Sequence, residues 1–274
     1  MTSLSFDDEF RVTSPAPLAA ASSPAAPDLA GWSRARHVLL DLDGTLIHQQ
    51  VATPGAAALL QRLAGRYVIV SNNSTHTAVG LARRLRAMGL PVTPAQLVLA
   101  GEHVLDWLAQ HHPHARIRLA GSTAIAQHAR SRGLHLVDAQ PDFVVLARDE
   151  RFSYAKLAAM VNDLRRGARL VVANGDLQHP ALDGGVVPET GALLQAVRSC
   201  SGVAPYYMGG KPQSPLFREA LRRLDADPAQ TLMIGDNPAT DARGAARLGM
   251  RCLLLGDGPG AHAASPAALL AMDQ

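Results

Sequence analysis

Short apolar runs alternate with longer amphipathic stretches along most of this chain, and this alternation limits its fold more than any other feature. The first half contains "HVLLDLD", "PGAAALLQRLAG", "YVIVSNN" and "TAVGLARRLRAMGL". The same rhythm returns near the C-terminus as "SPLFREALRRLDA", "TLMIGDN", "DARGAARLGM" and "RCLLLGD". Strands that alternate with helices in this way are typical of a parallel sheet covered by helices. The sequence therefore predicts an α/β fold.

A second set of strand and helix candidates lies between these two halves: "ARIRLAG", "FVVLARD", "YAKLAAMVNDLRRG" and "RLVVANGD". We predict a core built from residues 31–100 and 206–274, with a second α/β unit, residues 101–205, inserted into it. Residues 1–30 are rich in Pro, Ala and Ser and lack an apolar period, which predicts a disordered tail. A processed targeting peptide is the alternative for this segment.

Composition excludes several classes of protein. The net charge of +3 and the apolar fraction of 47% are ordinary for a globular protein and do not indicate a nucleic-acid partner. No run approaches the roughly 20 apolar residues that span a bilayer, and the N-terminus "MTSLSFDDEF" is acidic where a secretory signal is basic. The two cysteines, Cys200 and Cys252, have no metal-ligand spacing. We expect a cytoplasmic protein with no membrane partner.

Three predicted strands end on polar side chains, in "VLLDLDG", "VIVSNNS" and "LMIGDNPATD". Open parallel sheets bind their ligands at the carboxyl ends of the strands. The three segments therefore predict one shared site.

Two aspartates separated by one leucine follow the first predicted strand. Asp41 and Asp43 project to the same side of an extended segment, where their charges repel each other unless a cation such as Mg²⁺ lies between them. Asp236 and Asp241 come from another strand end and enlarge this acidic group. For Asp241 a helix-capping role is the alternative.

The neighbouring residues fit a phosphoryl group. Backbone N–H groups around Gly44 can approach a phosphate closely, and Thr45 and Ser71 supply hydroxyls. Asn72 supplies an amide, and Lys211 in "GGKP" supplies a fixed positive charge. Taken alone, Lys211 would be interpreted as a surface residue.

In this order, "DLDGTL", "SNNS", "GKP" and "GDNPATD" resemble the four motifs of the haloacid dehalogenase-like hydrolase superfamily. The insert is similar to the type IIA cap (type C2) of its NagD-like, nitrophenylphosphatase-type branch, along "PDFVVLARDERFSYAKLAAMVNDLRRGARLVVANGDLQHP" and "PETGALLQAV". The resemblance implies a Rossmann-like catalytic core with an inserted cap. It also implies a Mg²⁺-dependent phosphatase for small phosphomonoesters, such as sugar, glycerol or nucleoside phosphates.

The resemblance also assigns roles to residues. Asp41 would attack phosphorus and form an aspartyl-phosphate, and Asp43 would act as general acid and then as general base. Mg²⁺ would be held by the Asp41 carboxylate, the Asp43 main-chain carbonyl and Asp236, with Asp241 in support. Lys211 would bind the phosphoryl group and steady the charge on Asp41. The full set of candidates for phosphate or substrate contact is Gly44, Thr45, Ser71, Asn72, Asn73, Lys211, Asn174 and Asp176.

The last two of these candidates belong to the cap, where Asn174-Gly175-Asp176 stands in place of the Asn-Pro-Asp usual in the branch. The expected partner is a small phosphorylated metabolite, and the resemblance also allows a homodimer formed through the cap.

Several alternatives stay open at this point. A phosphomutase would need a second phosphate site in the cap, and a metabolite-binding regulatory protein could keep the fold without turnover. The histidines of "HHPHAR" fit either a solvated loop, which we favour, or a metal site. The cap segment of Glu150, Arg151 and Phe152 could face the substrate or lie in a surface loop.

Overall fold

The structure is a computed structural model that describes residues 29–181 and 184–272. The predicted tail lies outside the described residues, except for its last two, which begin a 3₁₀ helix at Leu29–Arg34. The strands are β1 His37–Leu40, β2 Ile47–His48, β3 Val51–Ala52, β4 Tyr67–Ser71, β5 Leu97–Leu99, β6 Arg116–Ala120, β7 His135–Leu136, β8 Phe143–Leu146, β9 Arg169–Val172, β10 Gln178–Pro180, β11 Val186–Pro188, β12 Tyr207–Met208, β13 Thr231–Gly235 and β14 Arg251–Leu254. The α-helices are α1 Ala56–Arg62, α2 Ala78–Ala87, α3 Ala100–His111, α4 Thr123–Ser131, α5 Tyr154–Arg165, α6 Thr190–Ser201, α7 Ser214–Leu224, α8 Arg243–Ala246 and α9 Pro266–Ala271.

The first sheet is parallel and combines strands from both ends of the chain in the order β14-β13-β1-β4-β5. β1 lies at its centre, with Val38 opposite Leu232 on one side and Tyr67 on the other. Both faces are buried, since Leu40 packs in one apolar cluster and Leu39 in a second. Burial on both faces explains why the middle positions of these strands are apolar in succession instead of alternating with polar residues. The predicted α/β core is confirmed.

The second sheet is also parallel and has the order β12-β9-β8-β6-β7. It forms the cap, and its strands lie between β5 and β13 along the chain. Tyr207 and Met208 pair with Val171 and Val172 of this sheet, so its edge strand begins beyond the predicted cap boundary at residue 205. The cap bounds, residues 101–205, stay a prediction, and a two-residue strand such as β12 carries no periodic pattern that could mark a boundary.

Serine and threonine side chains cap the N-termini of several helices. Thr77, Ser122 and Ser153 precede α2, α4 and α5, and each hydroxyl accepts a hydrogen bond from a backbone N–H in the first turn of its helix. Such caps satisfy backbone donors that have no partner within the helix. They explain where the amphipathic stretches of the sequence start.

Two antiparallel ribbons lie near the carboxyl ends of the strands. We call β2–β3 the core flap and β10–β11 the cap hairpin. They meet where Gln49 of the core flap donates a hydrogen bond from Nε2 to the backbone oxygen of Ala181, at 3.2 Å. Among the described residues, no helix has the length and apolar character needed to cross a membrane.

Candidate active site

The site begins at the carboxyl end of β1, where Asp41 continues the ladder by donating its N–H to the carbonyl of Ile234 at 2.8 Å. The chain then turns at Gly44, which has a φ of +88°. A Cβ at this position would lie 2.1 Å from Oδ2 of Asp236, so a side chain does not fit. Glycine is therefore required for the turn and for the close approach of the β13 loop.

Three carboxylates meet between β1 and β13. Asp41, Asp236 and Asp241 each offer one oxygen, and these atoms all lie within 4.8 Å of one another. Burial raises the pKa of Asp41 well above its usual range, and the charge of Asp241 adds to this effect. Burial also raises the pKa of Asp236, which accepts a hydrogen bond from Oγ1 of Thr45 at 3.2 Å. A hard divalent cation would relieve this repulsion with oxygen ligands, so the donor set fits Mg²⁺.

Asp241 supports this cluster from beneath. It is fully buried, and its Oδ2 accepts the N–H of Asn237 at 3.1 Å. It lies within the π-helical turn Pro238–Ala242, whose first residues are capped by the side chain of Asn237 instead. The helix-capping alternative for Asp241 is therefore not what the structure shows.

Lys211 supplies the positive charge at the centre of the site. Its Nζ donates to Oδ1 of Asp41 at 2.5 Å and to Oδ1 of Asp241 at 2.7 Å, and its side chain is only 3% exposed. Burial alone would lower the pKa of Lys211. The two carboxylates raise it by a larger amount, so the net shift of the pKa is upward. Lys211 is therefore a permanent cation in this environment.

The second aspartate has a different environment. Asp43 keeps an accessible surface in the cleft between core and cap, and its Oδ2 accepts a hydrogen bond from Oγ of Ser71 at 3.3 Å. Enclosure by protein raises the pKa of Asp43, while Lys211 and Ser71 act against the shift. A carboxyl group with a raised pKa, placed beside a buried lysine, is suited to proton transfer.

The loop after β4 contributes Ser71 and two asparagines. Ser71 is buried and also accepts the N–H of Asn73 at 3.1 Å. The Oδ1 of Asn73 accepts the N–H groups of Thr75 and His76 at 3.1 and 2.9 Å. Its side-chain oxygen thus shapes its own loop. Its Nδ2 lies 3.3 Å from Nδ1 of His76, so both polar atoms of the side chain have partners within the loop, and a substrate contact from Asn73 stays a prediction.

The two cap candidates join this loop. Asn174 is buried and donates from Nδ2 to the backbone oxygen of Asn72 at 2.7 Å. Asp176 accepts hydrogen bonds from Nδ2 of Asn72 at 3.2 and 3.0 Å. The structure thus brings every predicted residue to one region, but it places these two against Asn72.

Sequence reasoning missed one residue near the cleft. His179 lies on the cap hairpin close enough to influence the pKa of Asp43, and its Nδ1 lies 2.7 Å from Oε1 of Glu189. Its segment, "DLQHP", matches none of the four motifs, so only the folded hairpin reveals its position. The cap segment of residues 150–152 makes its contacts within the cap. Arg151 donates a hydrogen bond to Thr123, Phe152 packs against an apolar cluster of the cap, and Glu150 forms an ion pair with Arg148.

The histidines of "HHPHAR" are used differently from a metal site. His111 contacts the backbone oxygen of Trp107 at 2.8 Å and stacks on its ring. Within residues 29–181 and 184–272, only Asp41, Asp236 and Asp241 form a group of at least three His, Cys, Asp or Glu side chains that could hold a metal ion.

The chain is similar to several phosphatases. The 5'-nucleotidase YutF of Bacillus subtilis is 33% identical over 223 residues, which cover 80% of this chain and 86% of that protein. A dihydroxyacetone phosphatase of Corynebacterium glutamicum is 30% identical over 223 residues, with 80% of each chain covered.

Solved structures agree with this result. A p-nitrophenyl phosphatase from Archaeoglobus fulgidus superimposes with a TM-score of 0.77 and 26% identity, covering 83% of this chain and 88% of that one. A glycerol phosphate phosphatase from Mycobacterium tuberculosis, solved in complex with magnesium, has a TM-score of 0.75 and 30% identity, covering 82% of this chain and 68% of that one. The predicted NagD-like branch is confirmed, and the acidic group of Asp41, Asp236 and Asp241 is one that could hold the predicted Mg²⁺.

The haloacid dehalogenase-like hydrolase family matches residues 35–249, a range that contains all four motifs and the whole cap. The parallel core, the acidic cluster beside Lys211 and the similarity to phosphatases therefore lead to one conclusion. The chain belongs to the haloacid dehalogenase-like hydrolases and is a phosphatase of small phosphate monoesters.

Proposed function

We propose that the protein is a Mg²⁺-dependent phosphatase that hydrolyses sugar, glycerol or nucleoside phosphates through an aspartyl-phosphate on Asp41. The observation that carries this proposal is the 2.5 Å contact between Nζ of Lys211 and the Asp41 carboxylate. A buried lysine lowers the energy of the ionised carboxylate, and an ionised carboxylate is the form that can attack phosphorus. The same cation lies where a phosphoryl group brings further negative charge.

The first step transfers the phosphoryl group to the protein. A carboxylate oxygen of Asp41 forms a bond to phosphorus while the bond from phosphorus to the ester oxygen breaks. Asp43 gives its proton to the departing oxygen, so the alcohol leaves neutral. The raised pKa of Asp43 supports this role, because a larger fraction of the carboxyl group carries the required proton.

The second step returns the site to its starting state. Asp43, now ionised, takes a proton from a water molecule whose oxygen attacks the phosphorus of the aspartyl-phosphate. The bond from phosphorus to Asp41 breaks, and inorganic phosphate leaves. Ser71 donates to Asp43 and holds that carboxylate toward the cleft.

Mg²⁺ would be held by Asp41, the main-chain carbonyl of Asp43 and Asp236, with Asp241 in support, and it supplies charge stabilisation to the phosphoryl oxygens. Gly44 and Thr45 line the floor of this region, where Thr45 fixes the direction of the Asp236 carboxylate. The contact between Gln49 and Ala181 brings the core flap against the cap hairpin. This closure supports a preference for small esters, since it restricts the space for a leaving group.

The relatives named above support the substrate range, since their names include a 5'-nucleotidase, a dihydroxyacetone phosphatase and a glycerol phosphate phosphatase. The cytoplasmic location, the absence of a nucleic-acid partner and the homodimer through the cap stay predictions.

The test is phosphate release from a panel of these esters, with and without Mg²⁺, by the wild-type protein and by Asp41→Asn. Asp142→Asn is the matched control, because this exposed cap carboxylate pairs with Arg116 at the amino end of β8. We expect release that requires Mg²⁺ and Asp41 and that survives in Asp142→Asn. Equal release by wild-type protein and Asp41→Asn would refute the proposal.

A further inference from the structure

The side-chain amide of Asn72 lies between the core and the cap and holds the backbone of the catalytic lysine. Its Oδ1 accepts the N–H of Lys211 at 2.7 Å, and its Nδ2 donates to the backbone oxygen of Lys211 at 3.1 Å. Both backbone polar groups of Lys211 are thus paired with one side chain of the core loop. Asn72 therefore fixes the place from which the lysine side chain reaches Asp41.

Asp176 of the cap and the backbone of Lys211 together set which way this amide faces. A carboxylate only accepts hydrogen bonds, so the Nδ2 of Asn72 must face Asp176, and both carboxylate oxygens lie within 3.2 Å of it. The opposite orientation would direct Oδ1 at the carboxylate and Nδ2 at the N–H of Lys211. Both contacts would then be lost, and two like-charged ends would face each other.

A second cap residue holds the same loop. Asn174 donates to the backbone oxygen of Asn72 at 2.7 Å, and its Oδ1 accepts the N–H of Asp176 at 3.1 Å. Two positions of the cap that are separated by Gly175 thus hold both the backbone and the side chain of Asn72.

The segment before the lysine has no room for adjustment. A Cβ on Gly210 would lie 2.6 Å from Oδ1 of Asn72 and 2.6 Å from the oxygen of Ala173. The N–H of Gly210 donates to that same oxygen of Ala173 at 2.7 Å. Because the packing is so close, a rotated Asn72 amide would displace the backbone of residues 210 and 211, and with it the Nζ that touches Asp41.

We propose that Asp176 is a positioning residue that acts on catalysis through Asn72 and Lys211, rather than a contact for the substrate. A residue of the cap thereby helps to position Lys211, whose side chain contacts Asp41 of the core. This inference rests on the proposed phosphatase function, because it concerns the lysine of that same site.

The test is a double-mutant cycle on kcat and KM with Asp176→Ala, Asn72→Ala and the double variant. We expect Asp176→Ala to lower kcat about 10- to 100-fold with KM changed less than about threefold, as when a catalytic group is displaced by a fraction of an ångström up to 1 Å. In the Asn72→Ala background the same substitution should change kcat less than about twofold, because its route to the lysine is already broken. Asp176→Asn keeps the shape and one acceptor, so it should recover part of the loss.

Asp142→Ala is the control for removing a cap carboxylate, and it should keep the wild-type kcat. Denaturation midpoints of all variants show that each is folded under the assay conditions. Three results would overturn the inference: an unchanged kcat in Asp176→Ala, a rise confined to KM, or losses that multiply in the double variant. Failure of the proposed function is distinguishable, because the wild-type protein would then release no phosphate or Asp41→Asn would retain full activity.

Discussion

Substitution of Gly44 by alanine should strain the backbone and should also displace the carboxylate of Asp236. Two costs are expected at this position. The φ of +88° disfavours any residue with a Cβ, by about 1–2 kcal/mol. The new Cβ would also lie 2.1 Å from Oδ2 and 2.5 Å from Cγ of Asp236, which is closer than any real contact allows. The carboxylate must therefore move away from the acidic cluster.

Gly65 offers a matched control for this experiment. It has a φ of +79°, and a Cβ there would meet nothing within 4 Å. Gly65→Ala therefore carries the backbone cost of about 1–2 kcal/mol without a collision. The difference between the two variants isolates the effect of displacing Asp236.

Urea denaturation measures the backbone cost to stability, and steady-state kinetics measure the effect of displacing Asp236. We expect both variants to lose about 1–2 kcal/mol of unfolding free energy. Gly44→Ala should in addition lose about 10- to 100-fold in activity and need more Mg²⁺ for half-maximal rate, since a displaced ligand weakens a metal site by about this factor. Gly65→Ala should keep the wild-type kcat. Equal activity and equal Mg²⁺ dependence in the two variants would refute the argument that Gly44 is required by the approach of Asp236.

Three further predictions concern ionisable side chains. Lys211→Met should lower the free energy of unfolding by about 3–5 kcal/mol in Mg²⁺-free buffer, because it leaves two buried carboxylates without their cation; adding Asp241→Asn should recover part of this loss, and additive losses would contradict the reasoning. Asp43→Asn should lower the single-turnover rate of the first step about 10²- to 10⁴-fold for esters with poor leaving groups and much less for p-nitrophenyl phosphate; equal losses in this step would contradict an acid role. His103 has a pKa lowered by burial from 6.5 to about 4, so the folded state binds fewer protons than the unfolded state between these values. Stability present above pH 6.5 is thus lost as the pH falls toward 4, by up to about 3 kcal/mol, and denaturation curves of His103→Gln should lack this part of the loss.

The order of the motifs along the chain made much of the site predictable. Asp41 and Asp236 each follow an apolar strand, Ser71 is the last residue of another, and parallel strands bring their carboxyl ends to one edge. The sheet order then needs only β1 between β4 and β13 for these residues to meet. Local patterns of this kind are visible in sequence because each strand carries its own polar end.

Contacts between distant loops could not be predicted in this way. The bond between Asn72 and Asp176 joins residues 104 positions apart, and it depends on how the cap sits above the core. The core flap and β12 have strands of two residues, which are too short for a period to be recognised. His179 lies on a hairpin whose sequence resembles an ordinary turn. These features come from tertiary packing, which local patterning does not encode.

The most direct test of the central claim is the mass of Asp43→Asn after mixing with p-nitrophenyl phosphate and Mg²⁺. The leaving group of p-nitrophenyl phosphate departs without a general acid. Hydrolysis of the aspartyl-phosphate, however, lacks the general base that Asp43 supplies in the wild-type protein. The account predicts that the aspartyl-phosphate accumulates, with the mass of one phosphoryl group on the peptide that contains Asp41, and that Asp41→Asn stays unmodified. Release of p-nitrophenol with no phosphoryl group on Asp41, or with the group on another residue, would contradict it.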